Sequence, residues 1–145
     1  MKVLISGHRI QKLAAHDTRW IKETISALIE PHFIGLSGMA SGVDLWFCEA
    51  LKNKNCGYYC YIPFEEQGAT MSEEDAQYRE ELIKLAWGIK KVKNSRMVED
   101  CDMGIIVWDG NKGGTHNVFQ QMVEAGKNFW WIEPTNKKVV YMEWN

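Results

Sequence analysis

Three short glycine-rich segments contain the residues that could bind a ligand or do chemistry. The first is Gly7-His8-Arg9, the second runs from Ser37 to Asp44, and the third runs from Asp109 to Thr115. Each of them follows a short apolar run, as expected of a turn at the end of a buried strand. In an open parallel sheet such turns meet at the carboxyl ends of the strands, where ligands bind.

The third segment is the most informative, since Gly113 and Gly114 come directly before Thr115. We expect both glycines to adopt positive φ and to let a ligand approach the backbone closely. Thr115 is predicted to cap the following helix, whose first amides and dipole would favour an anion such as phosphate. Asp109 and Gly110 begin the same turn and join the candidate binding set. The alternative is a tight strand-to-helix turn with no ligand.

The second segment places Gly38 and Met39 just before a predicted helix. It has neither the Gly-Lys-Ser/Thr sequence of a P-loop nor the glycine spacing of the dinucleotide fingerprint. Asp44, at the beginning of that helix, either only caps it or accepts hydrogen bonds from a ribose hydroxyl or a base. Ser37 is part of the same candidate binding set.

Charged and aromatic side chains near these turns extend the candidate site. Arg9 can pair bidentately with a phosphate, although a surface salt bridge is the alternative, and Arg96 is a second candidate cation. His116 lies one residue beyond the third turn and could touch a ligand, or could simply be exposed to solvent. Trp46 and Trp108 adjoin the turns and could stack on a base, but packing in the core or at an interface is the commoner use of tryptophan.

Short apolar runs predict the strands that hold these turns. The predicted strands are Lys2–Ser6, Phe33–Leu36, Tyr58–Ile62, Ile89–Val92, Met103–Trp108, Phe129–Ile132 and Lys138–Met142. Helical spacing of apolar residues fills the intervals between them. The predicted helices are one capped by Asp17 that carries Ile21, Ile25, Leu28 and Ile29, one over Val43–Leu51, one with Tyr78, Leu82, Leu85 and Ala86 on one side, a short turn at Met97–Cys101, and one with Val118, Phe119, Met122 and Val123 that ends at Gly126.

Alternating strands and helices predict βαβ units and a mainly parallel sheet, with Lys138–Met142 as an antiparallel edge. We therefore expect an α/β fold of Rossmann-like, three-layer α/β/α build. A chain of 145 residues fits one domain, so residues 1–145 are predicted to form a single unit.

Composition narrows the class of partner. The net charge is −2, whereas proteins that depend on contacts to nucleic-acid phosphates are usually basic. We interpret the small cluster Lys90, Lys91 and Lys93 as a solvated strand edge. Nucleic acid is therefore not an expected partner, and no apolar run is long enough to suggest a membrane span or a signal peptide.

Cysteine and tryptophan usage gives two further expectations. The four cysteines, at positions 48, 56, 60 and 101, lack the spacing of a zinc site, so we predict reduced thiols and no metal. Free thiols fit a cytoplasmic location. Seven tryptophans and the apolar helix faces predict a homo-oligomer.

Five motifs with the same order and register resemble a known family. They are Ser6-Gly7-His8-Arg9, Ser37-Gly38-Met39-Ala40-Ser41-Gly42-Val43-Asp44-Leu45-Trp46, Pro63-Phe64, Arg96-Met97-Val98 with Asp102, and Trp108-Asp109-Gly110 with Gly113-Gly114-Thr115. The set is similar to the YpsA/YoqJ-like branch of the SLOG superfamily, which also contains the DNA-processing protein A fold and the LOG hydrolases. The resemblance implies a Rossmann-like, nucleotide-binding domain of bacteria or phages. It would place ligand contacts at Gly7, His8, Arg9, Ser37, Gly38, Asp44, Gly113, Gly114 and Thr115.

The chain departs from the enzymatic branch of that superfamily. LOG hydrolases carry Pro-Gly-Gly-x-Gly-Thr-x-x-Glu, in which the Glu acts in catalysis, whereas Val118 occupies that position here. Asp44 and Glu49 are the weak remaining candidates for a catalytic carboxylate. We therefore expect binding rather than catalysis.

The leading hypothesis is a sensor, carrier or sponge for a nucleotide-derived small molecule, such as a signal derived from NAD or ADP-ribose, with no further cofactor. The first alternative is an enzyme that cleaves an N-glycosidic bond, either a LOG-like phosphoribohydrolase or a protein resembling the nucleoside deoxyribosyltransferases. Asp44 or Glu49 would then stabilise or attack the oxocarbenium centre. The second alternative is a module that binds single-stranded DNA.

Overall fold

The computed structural model describes residues 1–62, 71–92 and 96–144. Pro63, Phe64 and Lys93, which entered the predictions above, lie outside this part of the chain. Strands and helices alternate along the described residues, except that two helices follow the first strand and two strands come last. In chain order they are β1 (Lys2–Gly7), α1 (Ile10–Leu13), α2 (Thr18–Leu28), β2 (Ile34–Ser37), α3 (Val43–Asn53), β3 (Tyr58–Ile62), α4 (Glu73–Leu85), β4 (Gly88–Lys91), α5 (Arg96–Asp100), β5 (Met103–Val107), α6 (Gly114–Glu124), β6 (Phe129–Glu133) and β7 (Lys138–Met142).

The strands form one sheet in the order β4-β3-β2-β1-β5-β6-β7. All neighbours are parallel except β6 and β7, so the predicted parallel sheet with an antiparallel edge is confirmed. The chain moves outward from β1 to β4 and then returns to place β5 on the other side of β1. The direction of winding therefore switches between β1 and β5, which is where doubly wound sheets open a crevice for ligands.

Two apolar clusters, one on each face of the sheet, make the fold three-layered. On β1, Val3 and Ile5 face the cluster that contains α2, α3 and α4, whereas Leu4 faces the cluster that contains α5 and α6. Every residue of β5 is buried, as expected of a central strand covered on both faces. The predicted α/β/α layering is confirmed, and β5 lies inside the sheet between β1 and β6.

Local sequence explains where several helices begin and end. The side chain of Asp17 accepts a hydrogen bond from the Trp20 N–H at 3.1 Å, so it caps α2 as predicted. Ser72 caps α4 in the same way, through the Asp75 N–H at 3.1 Å. Gly126 has φ of 67°, a left-handed conformation that ends α6 at the predicted residue.

Two local predictions differ from the structure. The four-residue helix α1 was not predicted, because an element of about one turn is too short to show helical periodicity. The helical spacing predicts Leu85 on the apolar side of its helix, but its side chain is 54% exposed. The nearby Trp87 and Ile89 are exposed to a similar degree. Because α4 leads into the edge strand β4, its last turn has little of the sheet to pack against.

The four cysteines are free and buried. Burial raises the pKa of Cys60 and of Cys101 to about 11, so neither thiol ionises near neutral pH. Within the described residues, no helix is long and apolar enough to cross a membrane. In the same part of the chain, no group of His, Cys, Asp or Glu side chains is arranged so that it could hold a metal ion.

Gly35 allows α3 to pack closely on β2. A Cβ at this position would overlap Leu51 and would lie 2.9 Å from the Phe47 ring. We expect Gly35→Ala to lower the free energy of unfolding in urea by about 1–3 kcal/mol, because the core is overpacked. The control is Gly114→Ala, where a Cβ meets no atom within 4 Å and stability should change little. Equal stability of Gly35→Ala and the wild type would show that this packing is not constrained.

Candidate functional site

A cleft of about 400 Å³ opens at the carboxyl edge of the sheet. Its walls come from the turns that follow β1 and β2, from the first turn of α6, and from side chains of α1 and α4. The cleft therefore lies at the switch between β1 and β5, the position that this topology favours for a ligand.

The first turn of α6 forms one wall of the cleft. Gly113 is the N-cap residue and has no side chain with which to cap the helix. The first backbone bond of the helix is from the Asn117 N–H to the Gly113 carbonyl, at 3.3 Å. The amides before Asn117 therefore lack intrahelical acceptors, and this end of an 11-residue helix is electrostatically positive.

The details of this turn correct two predictions. Thr115 does not cap α6, because the helix already begins at Gly114; Thr115 is buried in the first turn and lines the cleft. Positive φ occurs at Gly113 (158°, close to extended) but not at Gly114, which is helical. The left-handed residue of the turn is Gly110, with φ of 92°.

Among the described residues, three cationic side chains line the cleft, and only Arg9 of these was predicted from the sequence. Lys12 lies on α1, and its ammonium is 3.4 Å from where a Gly113 Cβ would be. Arg79 extends from α4, and its Nε donates to the Met39 carbonyl at 3.0 Å. Lys12 is one helical turn beyond Arg9, so a prediction of α1 would have placed both at the site.

The turn after β2 is held by its own polar side chains. The Ser37 hydroxyl accepts from the Met39 N–H at 3.1 Å and donates to the Asp44 carbonyl at 3.2 Å. One carboxyl oxygen of Asp44 accepts from the Ala40 N–H at 3.2 Å. Ser37 is fully buried and acts within the turn, whereas Asp44 both holds the turn and lines the cleft.

The carboxyl group of Asp44 has unusual acid–base properties. Burial raises its pKa from the ordinary 3.8 to about 7, although the Ala40 N–H and the charge of Arg9 act in the opposite direction. Near neutral pH the group therefore exists in both protonation states, and it can either donate or accept a hydrogen bond at the wall of the cleft.

Behind the cleft, Asp109 contacts two histidines. Its Oδ1 lies 3.2 Å from the His8 Nε2 and accepts from the Asn111 N–H at 3.0 Å, and its Oδ2 lies 3.7 Å from the His16 Nε2. The Asp109 backbone N–H also donates to the His8 Nε2, at 3.2 Å. Asp109 is not among the residues that line the cleft, and nothing in the sequence indicated His16.

The aromatic candidates support the structure around the cleft and do not line it. The Trp108 indole N–H donates to the Asn111 carbonyl at 2.7 Å, and its ring stacks on His116 with 5.1 Å between ring centroids. Trp46 packs against the core, with the Lys22 ammonium 4.7 Å from its ring centroid.

The cleft brings together most of the predicted binding residues but not all of them. Those that line it are Gly7, His8, Arg9, Gly38, Met39, Asp44, Gly113, Gly114 and Thr115. Ser37, Arg96, Asp109 and Gly110 are not lining residues. Arg96 pairs instead with Asp100, four residues further along its own helix, at 3.2 Å. Glu49 is exposed on α3 and accepts a hydrogen bond from the Tyr78 hydroxyl, so it is not placed to act in the cleft.

Comparison with known proteins identifies the fold. DNA processing protein A (DprA) from Streptococcus pneumoniae superposes with a TM-score of 0.66 over 92% of this chain, at 15% sequence identity. The fold is Rossmann-like. A second structure, that of TM1055, superposes with a TM-score of 0.57 over 88% of this chain and 71% of its own, at 14% identity.

These comparisons are limited to structure. The chain spans about half the length of DprA, since it covers 50% of that chain. No family model and no curated protein matches the sequence. At identities this low, the likeness identifies the fold and leaves the ligand to be inferred from the cleft itself.

The pKa of Asp44 predicts a dependence of stability on pH. A folded-state pKa above the ordinary value contributes stability at low pH that is lost as the pH rises from about 4 to about 7. The difference between 3.8 and about 7 corresponds to a loss of at most about 4 kcal/mol. The free energy of unfolding in urea should therefore fall less between pH 5 and pH 8 in Asp44→Asn than in the wild type. An identical pH dependence in the two proteins would show that Asp44 ionises normally.

Proposed function

We propose that this chain binds an anionic, nucleotide-derived small molecule in the cleft between β1 and β5. The observation that carries the proposal is the position of Lys12, whose ammonium lies against Gly113 at the N-terminus of α6. Two positive groups side by side repel each other, and an anion bound between them would remove that repulsion. A phosphate suits this position because it can accept hydrogen bonds from the helix amides and from Lys12 together.

The other lining groups support a nucleotide rather than a simple anion. A cleft of about 400 Å³ is within the size range of small-molecule sites and is larger than one phosphate needs. Arg9 and Arg79 provide further positive charge, and Asp44 provides a group that can bind ribose hydroxyls. The motifs that resemble the YpsA/YoqJ-like SLOG proteins agree with this, and so does the Rossmann-like fold. As part of the proposal, we assign the chain to that branch. Its role would be that of a sensor, carrier or sponge for the nucleotide-derived molecule.

Cleavage of an N-glycosidic bond is the second candidate function, and Asp44 is the observation that favours it. A buried carboxyl whose pKa is about 7 is suited to acid–base work. However, Val118 lines the cleft at the position where the LOG motif has its catalytic Glu. Binding is therefore the better-supported function.

The binding proposal is tested by titrating the protein with ADP-ribose, NAD, AMP and adenosine in a calorimeter. We expect Gly114→Val to remain folded, because a Cβ there meets no atom within 4 Å, while its methyl groups fill the space that a phosphate needs. Affinity for the best phosphate-containing ligand should fall at least about tenfold, the equivalent of 1.4 kcal/mol. Gln120→Val is the matched control, since Gln120 is exposed on the same helix and is not a lining residue.

The charge of Lys12 is tested separately. Lys12→Ala should lower the affinity for AMP several-fold, because an exposed ion pair contributes about 1 kcal/mol or less. The affinity for adenosine, which has no phosphate, should not change. Lys22→Ala, which removes an equal charge outside the cleft, should change neither affinity. If Gly114→Val and Lys12→Ala bind as tightly as the wild type, the turn has no role in binding. Tight, salt-dependent binding of single-stranded DNA with no nucleotide binding would favour the DNA-binding alternative.

Hydrolysis is tested by incubating the protein with NAD, ADP-ribose and AMP and following base release by chromatography. We expect no release at an ordinary turnover, on the order of 1 s⁻¹. If release occurs, Asp44→Asn should abolish it, whereas Glu49→Gln should retain it because Glu49 is outside the cleft. Release that depends on Asp44 would replace the binding proposal with the enzymatic one.

A further inference from the structure

The contacts of Asp109 join three segments that are distant in the sequence. His8 follows β1, His16 lies between α1 and α2, and Asp109 follows β5, 101 residues beyond His8. The three side chains are 5%, 13% and 14% exposed. They therefore form a largely buried polar cluster at the back of the cleft, which His8 also lines, where the chain leaves β5 for α6.

The turn that this cluster adjoins has few other contacts. Residues 110–114 are all exposed, and a Cβ at Gly110 or Gly114 would meet no atom within 4 Å. A glycine-rich segment of this kind loses much conformational entropy when it is held in one arrangement. The described side chains that hold it are at its beginning: Asp109, through the Asn111 N–H, and Trp108, through the Asn111 carbonyl.

The His8 Nε2 lies 3.2 Å from two atoms of Asp109, the backbone N and the carboxyl Oδ1. A neutral ring with its proton on Nδ1 accepts the backbone N–H, whereas a ring with a proton on Nε2 donates to the carboxylate, so His8 binds Asp109 in either state. Burial lowers the pKa of His8, which favours the neutral ring, and the nearby Lys12 and His16 act in the same direction while Asp109 opposes them. The His8 side chain therefore binds Asp109, the residue at which the turn begins.

We infer that His8, Asp109 and His16 are positioning residues that fix the turn between β5 and α6 and thereby aim the first amides of α6 into the cleft. The inference deepens the proposed function and rests on it, since it concerns the same anion site. It replaces the expectation that Asp109 touches the ligand itself. His16 contributes least, because its 3.7 Å separation from Asp109 exceeds hydrogen-bonding distance.

The test uses two pairs of variants and sulfate as the probe, because sulfate does not titrate near neutral pH. His8→Gln can still accept the Asp109 N–H, whereas His8→Leu cannot. Asp109→Asn and Asp109→Leu both remove one negative charge, but only Asn can still accept the Asn111 N–H. Two properties are measured by NMR at pH 8: the order of the amides from Asn111 to Thr115 without anion, and the sulfate affinity reported by Gly113 and Gly114.

We expect the two Leu variants to lose order in the turn and to bind sulfate about fivefold more weakly, which corresponds to one lost hydrogen bond. The sulfate affinity of the Gln and Asn variants should be within about twofold of the wild-type affinity, or higher. If Asp109 acted only through its charge, both of its variants would bind sulfate more tightly by the same factor, because each removes a repulsion.

Two results would overturn the inference: a turn that stays as ordered in the Leu variants as in the wild type, or equal changes in sulfate affinity for Asp109→Asn and Asp109→Leu. If His8→Leu does not fold, the Asp109 pair decides the question. A wild type that binds neither sulfate nor any nucleotide would contradict the proposed function instead. The order of the turn without anion would then still decide whether the cluster holds it.

Discussion

The pairing of β1 with β5 is the interaction on which the cleft depends. Five consecutive residue pairs, from Val3 with Met103 to Gly7 with Val107, join strands about a hundred residues apart. This register places the end of β1 beside the end of β5, so that the turns after them face each other. Close packing also fixes the turn after β2, which leads into α3. A Cβ on Gly7 would lie only 2.6 Å from the Val43 side chain at the beginning of α3.

The strands could be predicted well because burial on both faces leaves a clear sequence pattern. Tyr58–Ile62 and Lys138–Met142 have the predicted bounds, and the fully apolar run at Met103 is central in the sheet. The helices were less predictable at their ends. Leu85 has the right spacing for a buried residue, but it lies at the edge of the sheet and is 54% exposed. Spacing identifies the side of a helix, whereas burial also depends on what lies opposite.

Gly7 of the candidate site was identifiable for a related reason, since a side chain there would overlap Val43 and few residue types can replace it. Lys12 and Arg79 were not, because a cation on a helix has the same local pattern whether it faces solvent or a cleft. The contacts of Asp109 were also beyond prediction, since its partners His8 and His16 are brought near it only by the pairing of β1 with β5. Residues that act through local backbone shape leave a signal in the sequence, and residues that act through long-range contacts do not.

The low identity to DprA has a physical explanation that also limits what the fold can say about function. A parallel sheet between two layers of helices needs apolar side chains of suitable volume, and many sequences meet that need, so 15% identity is compatible with superposition over 92% of the chain. Helix amides can bind an anion whatever the neighbouring side chains are, so the proposed anion site would be compatible with wide changes of sequence within the fold. Under the proposed function, the choice of base and sugar would depend instead on a few side chains at the rim of the cleft. Among the described lining residues, Asp44, Arg9 and Arg79 would be suited to make that choice.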